Sequence, residues 1–201
     1  MRMDVIIDRD GVKGLVNRAF GIASSHGFHD EAHTNMHYMM LVLSEVGEMV
    51  EADRKSRHAQ LSMFEEGIRH PQTKEHEQAH WMFVFETFIK DTLEDELADV
   101  VIRMLDYLGD RKYEIRAIDD LEYEFNECFG EYTTVERCFF LSKLITEIDD
   151  VALEGDIINN IYCILSFCFI FARLHGIDLL RHVDLKMTYN EQRARKHGKK
   201  Y

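Results

Sequence analysis

The chain is poor in everything that interrupts a helix. It has one proline, Pro71, in 201 residues, and 11 glycines. Proline and glycine are the residues that end or kink helices most strongly, so long uninterrupted helices are permitted almost everywhere and an all-α fold is expected. No segment shows the strict alternation of apolar and polar residues that marks a half-buried strand. Cysteine is scarce as well. Cys128, Cys138, Cys163 and Cys168 contain no CxxC pair, which removes zinc-ribbon and thioredoxin-like patterns and leaves no disulfide framework. A reducing cytoplasm is the expected setting. The opening "MRMDVIIDRD" meets charge after three apolar residues and lacks a signal-peptide core. The most apolar run, Ile161 to Ala172, is shorter than the roughly 20 residues a bilayer span needs and reads as a buried central helix.

Positive charge is also in deficit. Lys and Arg total 24 against 37 Asp and Glu, a formal net charge of -13. Lys186, Arg193, Arg195, Lys196, Lys199 and Lys200 crowd into the last 16 residues with only Glu191 among them, so the preceding body is more acidic still. Such a body repels a phosphate backbone and suits multivalent cations. Nucleic acid and membrane are therefore not expected partners. The length and the balance of 46% hydrophobic and 30% charged residues fit one globular domain, 1–201.

What is abundant is helical patterning. Residues 30 to 57 begin acidic, end basic and carry Met39, Leu43, Val46 and Val50 at steps of three and four, which predicts a long helix. Residues 58–73 read as a polar connection. From Glu75 to Leu108 a second long pattern follows, as one helix or as two joined near Asp91, ended by Gly109 and Asp110. Further helices are expected at 119–129, 133–154 and 156–175, with a last one in "IDLLRHVDLKMTYNEQR" before the basic segment 186–201. Residues 44–52 and 96–105 are echoed weakly by 146–154 and 156–165, which suggests a degenerate internal repeat in which Asn159 stands for Asp99.

"HEQAH", His76 to His80, has the HExxH spacing of zinc proteases. Catalytic zinc needs a third protein ligand, and Phe83 occupies the glycine position of the longer zinc motif. The stretch is read as a solvated helix start. His29, His33 and His37 fall at four-residue steps and could share a helix face. A di-iron bundle needs a Glu-x-x-His on each of two helices; Glu77 and His80 supply one, and Asp30 and His33 only an approximation to the other.

The carboxylates are more informative. Glu45 and Glu48 form ExxE in the first long helix, and Glu96 and Asp99 form ExxD in the second. Residues three apart lie on one side of a helix, about 5–6 Å from each other. Both pairs are set among apolar residues, unlike a solvated charge run. If the two helices pack together, four carboxylates meet in a half-buried place. Two like charges about 4 Å apart repel by roughly 4 kcal/mol at an effective dielectric near 20, which calls for protons or a divalent cation. Oxygen ligands favour Mg²⁺, then Mn²⁺, over zinc. The alternative has these acids flanking helix faces and pairing with Arg54, Lys55 or Arg103.

With "LVLSEVGEMVEA" (41–52), "EDELADVVIRMLD" (94–106) and "KMTYNEQRARKHGKKY" (186–201), the chain resembles the MazG-like all-α nucleoside triphosphate pyrophosphohydrolases, relatives of the dimeric dUTPase-type enzymes. The family pattern is EExxE, a spacer, ExxD, then a lysine and an asparagine. The resemblance implies a helical bundle of long antiparallel helices, Mg²⁺ ligation by Glu45, Glu48, Glu96 and Asp99, and nucleotide contacts from Lys186, Asn190 and Arg193. It also implies hydrolysis of a nucleoside triphosphate to monophosphate and pyrophosphate by water attack at the α-phosphorus, with Glu45 or Glu48 as base, in a homodimer or higher homo-oligomer. The sequence departs from the pattern twice. Ser44 replaces the first glutamate, and the spacer before Glu96 is longer than usual, so that residues 58–90 resemble an insertion.

Overall fold

The computed structural model describes residues 5–69, 77–121, 125 and 131–195. Helix dominates, with eight helices and one two-stranded sheet among the described residues. In chain order these are β1 (Val5–Ile7), α1 (Arg9–Ser25), α2 (Asn35–Arg54), α3 (Leu61–Ile68), α4 (Glu77–Phe88), α5 (Leu93–Arg111), β2 (Ile118–Asp119), α6 (Thr134–Thr146), α7 (Glu154–Leu174) and α8 (Leu179–Glu191). The all-α expectation holds in its coarse form. The antiparallel pair β1–β2, with Val5 opposite Asp119 and Ile7 opposite Ile118, is an addition too short to leave an alternation signal.

Helix α5 is the hub. It packs against α1, α2, α7 and α8, and twelve of its residues are buried. Thr92 caps it, accepting from the backbone N–H of Asp95, and its chain leaves through Lys112 in the left-handed region at φ 55°. The helix therefore runs through Gly109 and Asp110, where the sequence suggested an end. Gly109 is needed there because a Cβ would lie 2.6 Å from Phe20 Cβ of α1. The two helices touch where neither can give way.

Other boundaries differ for local reasons. Helix α2 starts at Asn35 rather than near Asp30, because Thr34 caps it through the His37 N–H. Helix α6 ends at Thr146, well before residue 154. Asp149 Oδ1 accepts from the N–H groups of Val151 and Ala152 at 2.9 Å each, which turns the chain, and Asp150 Oδ1 accepts from the Asn35 N–H. This turn occupies most of the segment that echoes residues 44–52, whereas 44–52 lie inside α2. The first half of the echo is therefore not repeated in local structure, whereas 96–105 and 156–165 both lie inside helices, α5 and α7. Asn159, opposite Asp99 in the supposed repeat, accepts a hydrogen bond from Arg116 Nη1. Helix α1 went unmarked in the sequence patterning, since its buried face is only Val12, Val16 and Ala19.

Residues 58–73 are more than a connection. Helix α3 lies within them and buries Phe64 in a second apolar cluster with Val84, Phe85, Ile89, Leu185 and Tyr189. Phe85 stacks on Tyr189 at 4.5 Å between ring centroids, which ties α4 to α8. From Glu77 on, the second long pattern is two helices, separated at Asp91, whose φ is 57°. Helix α7, with 21 residues, is long and apolar enough to cross a membrane by length and composition alone. Thirteen of its residues are buried in the main core, in agreement with the central-helix reading. The expected helix at 119–129 falls mostly outside the described residues, as do Pro71, His76, Cys128, Lys196, Lys199 and Lys200.

Candidate metal centre and its cavity

Glu45 and Glu48 of α2 face Glu96 and Asp99 of α5 because these two helices pack side by side, and all four residues line one cavity of about 270 Å³. One carboxylate oxygen from each of Glu45, Glu48 and Glu96 lies within 4.8 Å of the others. Glu45 and Glu96 are buried and Glu48 is exposed. The triad is the only cluster of potential metal ligands among the described residues.

Asp99, the fourth expected ligand, has another partner. Lys186 of α8 brings its Nζ to 2.8 Å from Asp99 Oδ2 and 2.6 Å from Asp95 Oδ2. Glu45 is also engaged: Arg103 reaches Oε1 with Nε at 2.6 Å and Nη2 at 2.5 Å. Pairing with Arg103 is what the alternative expectation allowed. Arg54 and Lys55 pair with Glu51 instead. Glu48 has no charged partner among the described residues.

The electrostatics follow from crowding acid in a place water hardly reaches. Burial, reinforced by Asp99, Asp95 and Glu48 and opposed by Lys186, pushes the Glu96 carboxyl up to about 9. Burial and the charge of Asp99 raise Glu45 too, against the pull of Arg103. For Lys186, burial favours the neutral amine, but Asp99, Asp95 and Glu96 together outweigh it and hold the ammonium charged. The structure therefore offers a proton-holding, oxygen-only cluster with one cation on either side. This donor set fits a hard divalent cation, for which protons and cationic side chains are the natural competitors.

Asn190 and Arg193 line the same cavity as Lys186. Asn190 is buried, with its Oδ1 lacking a hydrogen-bond partner among the described residues. The Arg193 guanidinium lies 5.5 Å from the Tyr189 ring centre and has no carboxylate partner among the described residues. All seven residues singled out from sequence thus meet in one place. A second pocket of about 150 Å³ shares Glu48, Asp91 and Glu96 and adds Arg57 and the ion-paired Lys55 and Glu51.

Some members of the site were not recognised in the sequence. Asp95, fully buried, accepts from Lys186 and also from the Asp91 N–H at 3.0 Å. It stands in the acidic first turn of α5, where a carboxylate also complements the helix dipole. Asp106 and Arg103 follow Asp99 at steps of seven and four, the period that carries one face of α5 along the cavity. His29, His33 and His37 also line the cavity, but not as a helix face, since the first two precede α2. His33 and His37 stack at 4.1 Å.

The described part of the HExxH stretch, Glu77 to His80, has a structural role. His80 Nε2 lies 3.0 Å from the Gly67 carbonyl oxygen and joins α4 to α3, while Glu77 is exposed. Ser44, where the resembled pattern has glutamate, is exposed and donates its hydroxyl to the Leu41 carbonyl at 2.6 Å. It adds nothing to the cluster. Compared with protein-family models, with curated proteins and with solved structures, the chain shows no significant match.

Proposed function

We propose that the chain is a MazG-like, divalent-cation-dependent nucleoside triphosphate pyrophosphohydrolase. The observation that carries this reading is the convergence of Glu45, Glu48 and Glu96 within 4.8 Å in a cavity that also receives Asp99, Lys186, Asn190 and Arg193. Glu45, Glu48 and Glu96 would hold Mg²⁺ or Mn²⁺, with Asp99 alongside. Bound there, the cation supplies neutralisation of triphosphate charge and lowers the pKa of water.

The chain's own residues have separable tasks in this reading. Glu48, exposed and without a charged partner, is the better of the two candidate bases, since Glu45 is committed to Arg103. Arg193 offers planar donors to phosphate oxygens, and Asn190 both donates and accepts, as a sugar or base requires. Lys186 acts through Asp95 and Asp99, holding both in place by its two ion pairs. Products are the nucleoside monophosphate and pyrophosphate.

The proposal includes a homodimer or higher homo-oligomer and a cytoplasmic setting. Exposed Met36, Met40 and Phe139 support association, and Cys138, Cys163 and Cys168 are free thiols, as a reducing compartment favours. Light scattering that gave the mass of one chain at working concentration would remove the oligomer from the proposal.

A second reading, a nucleotide-binding relative without catalysis, is favoured by Ser44 turning its hydroxyl back on Leu41 and by the Arg103 bond to Glu45. One assay separates the two. Nucleoside triphosphates are supplied with Mg²⁺ or Mn²⁺, and pyrophosphate is measured apart from phosphate. The enzyme reading expects pyrophosphate from at least one nucleotide and its loss in both Glu48→Gln and Glu96→Gln. Binding without pyrophosphate establishes the second reading, and release that survives both substitutions overturns the proposed site.

A further inference from the structure

The cavity is chemically two-ended, and α5 runs along it like a ruler. Glu96, Asp99, Arg103 and Asp106 all line it. At 1.5 Å per residue, Asp106 lies about 10 Å beyond Asp99 along the helix and about two turns away on the same face. That separation suits a nucleotide whose α-phosphate lies at the carboxylates and whose base lies near Asp106. The walls change accordingly, from acidic groups to Ala19, Ile22, Phe28, Leu41 and Ile102.

Asp106 is held in one orientation. His29 Nε2 is 2.8 Å from its Oδ1. The other ring nitrogen, Nδ1, lies 3.2 Å from the Tyr38 hydroxyl and 3.3 Å from Asp110 Oδ1, and Tyr38 donates to Asp110 Oδ2 at 3.0 Å. Arg111 lies over the Tyr38 ring at 5.3 Å. Arg103, the other cation near Asp106, is occupied by Glu45. The second Asp106 oxygen, Oδ2, has no protein partner among the described residues, in a side chain that lines the cavity.

We infer that Asp106, positioned by His29, is a specificity-determining residue that accepts a hydrogen bond from the exocyclic amino group of a cytosine- or adenine-type base. This inference rests on the functional reading above. Burial raises the Asp106 carboxyl, and the His29 hydrogen bond and charge oppose that rise; as a carboxylate paired with His29 it can only accept. An amino group gives it a donor, whereas the oxo group of uracil or hypoxanthine at the same place sets two acceptors against each other. Leaving such a group unpaired is how a polar pocket rejects a near-isostere.

The test uses two nucleotide pairs that exchange amino for oxo, and with it a ring-nitrogen acceptor for a ring N–H: non-hydrolysable α,β-imido analogues of dCTP and dUTP, and of dATP and dITP. Binding to the full chain is measured by calorimetry with Mg²⁺, and inorganic triphosphate serves as a probe of the phosphate end. In at least one pair the amino form should bind about tenfold or more tighter. Asp106→Asn keeps an acceptor for His29 but turns an amide donor to the base, and should erase or reverse that preference while leaving triphosphate binding unchanged. His29→Gln, which loosens Asp106 without removing it, should reduce the preference to a smaller extent. Equal binding within both pairs of the wild type overturns the inference, whatever the variants do. Preference that survives Asp106→Asn in a protein that still binds triphosphate overturns it as well. If neither triphosphate nor any nucleotide binds, the functional reading fails and takes this inference with it.

Discussion

Lys186 Nζ on α8 lies 2.6 Å from Asp95 Oδ2 on α5, and both side chains are almost wholly removed from solvent. The pair fastens the last helix to the hub of the fold directly behind the carboxylate triad. Breaking a buried ion pair from one side leaves an uncompensated charge, which typically costs about 3–5 kcal/mol. Lys186→Met should therefore lower stability by about 3 kcal/mol or more, seen as a fall in the urea midpoint at unchanged slope. The double variant with Asp95→Asn should recover part of that loss. Equal stability of wild type and Lys186→Met would show that the pair is not formed in solution.

Gly109 gives a prediction whose sign is informative. Within an exposed helix, Gly→Ala normally stabilises by about 1 kcal/mol. Here the added methyl would meet Phe20 Cβ at 2.6 Å, a contact that forces α1 and α5 apart. Gly109→Ala should destabilise by roughly 1–3 kcal/mol, as overpacked sites do. A gain in melting temperature would show that the two helices are not in close contact there.

The metal-free protein should lose stability as pH rises. Glu96 ordinarily titrates at 4.5, but its folded carboxyl is raised to about 9. The folded chain keeps a proton that the unfolded chain releases, so this contribution is complete below pH 4.5 and disappears as pH climbs to about 9. His29 acts in the same direction. Burial opposes its charging, but the Asp106 and Asp110 carboxylates outweigh burial and raise its pKa above 6.5, so its contribution is present below that value and is lost as pH rises through the folded one. Urea midpoints should fall with pH well above the ordinary histidine value of 6.5, where His37, His175 and His182, lowered in the fold and so opposite in sign, have finished titrating. The slope should flatten in Glu96→Gln and in excess Mg²⁺, which binds the deprotonated form.

How much of this was legible in the sequence depends on the range over which each signal acts. Glu45, Glu48, Glu96 and Asp99 could be found because ExxE and ExxD place two acids on one side of a helix, and apolar neighbours such as Val46 and Leu97 require those helices to pack. The grouping of Lys186, Asn190 and Arg193 with them came from resemblance alone and reappears as a shared cavity. The Lys186 bond to Asp95 was not legible, because it joins residues 91 positions apart and depends on how α8 lies on α5. Helix α3 was missed for a different reason: Phe64 finds its partners Phe85 and Tyr189 in two other helices, so residues 58–73 alone carry only a weak apolar pattern. The HExxH spacing was a strong local signal with a different use, a hydrogen bond from His80 toward the Gly67 carbonyl.

The most direct test of the central claim follows the oxygen of water. Wild-type protein is incubated with the nucleoside triphosphate panel and Mg²⁺ in heavy-oxygen-labelled water, and the products are analysed by mass spectrometry beside those of Glu96→Gln. The account predicts label in the monophosphate and none in pyrophosphate, with both products absent from Glu96→Gln although its metal-free stability stays within about 1 kcal/mol of wild type. Label in pyrophosphate, or undiminished turnover by Glu96→Gln, would contradict it.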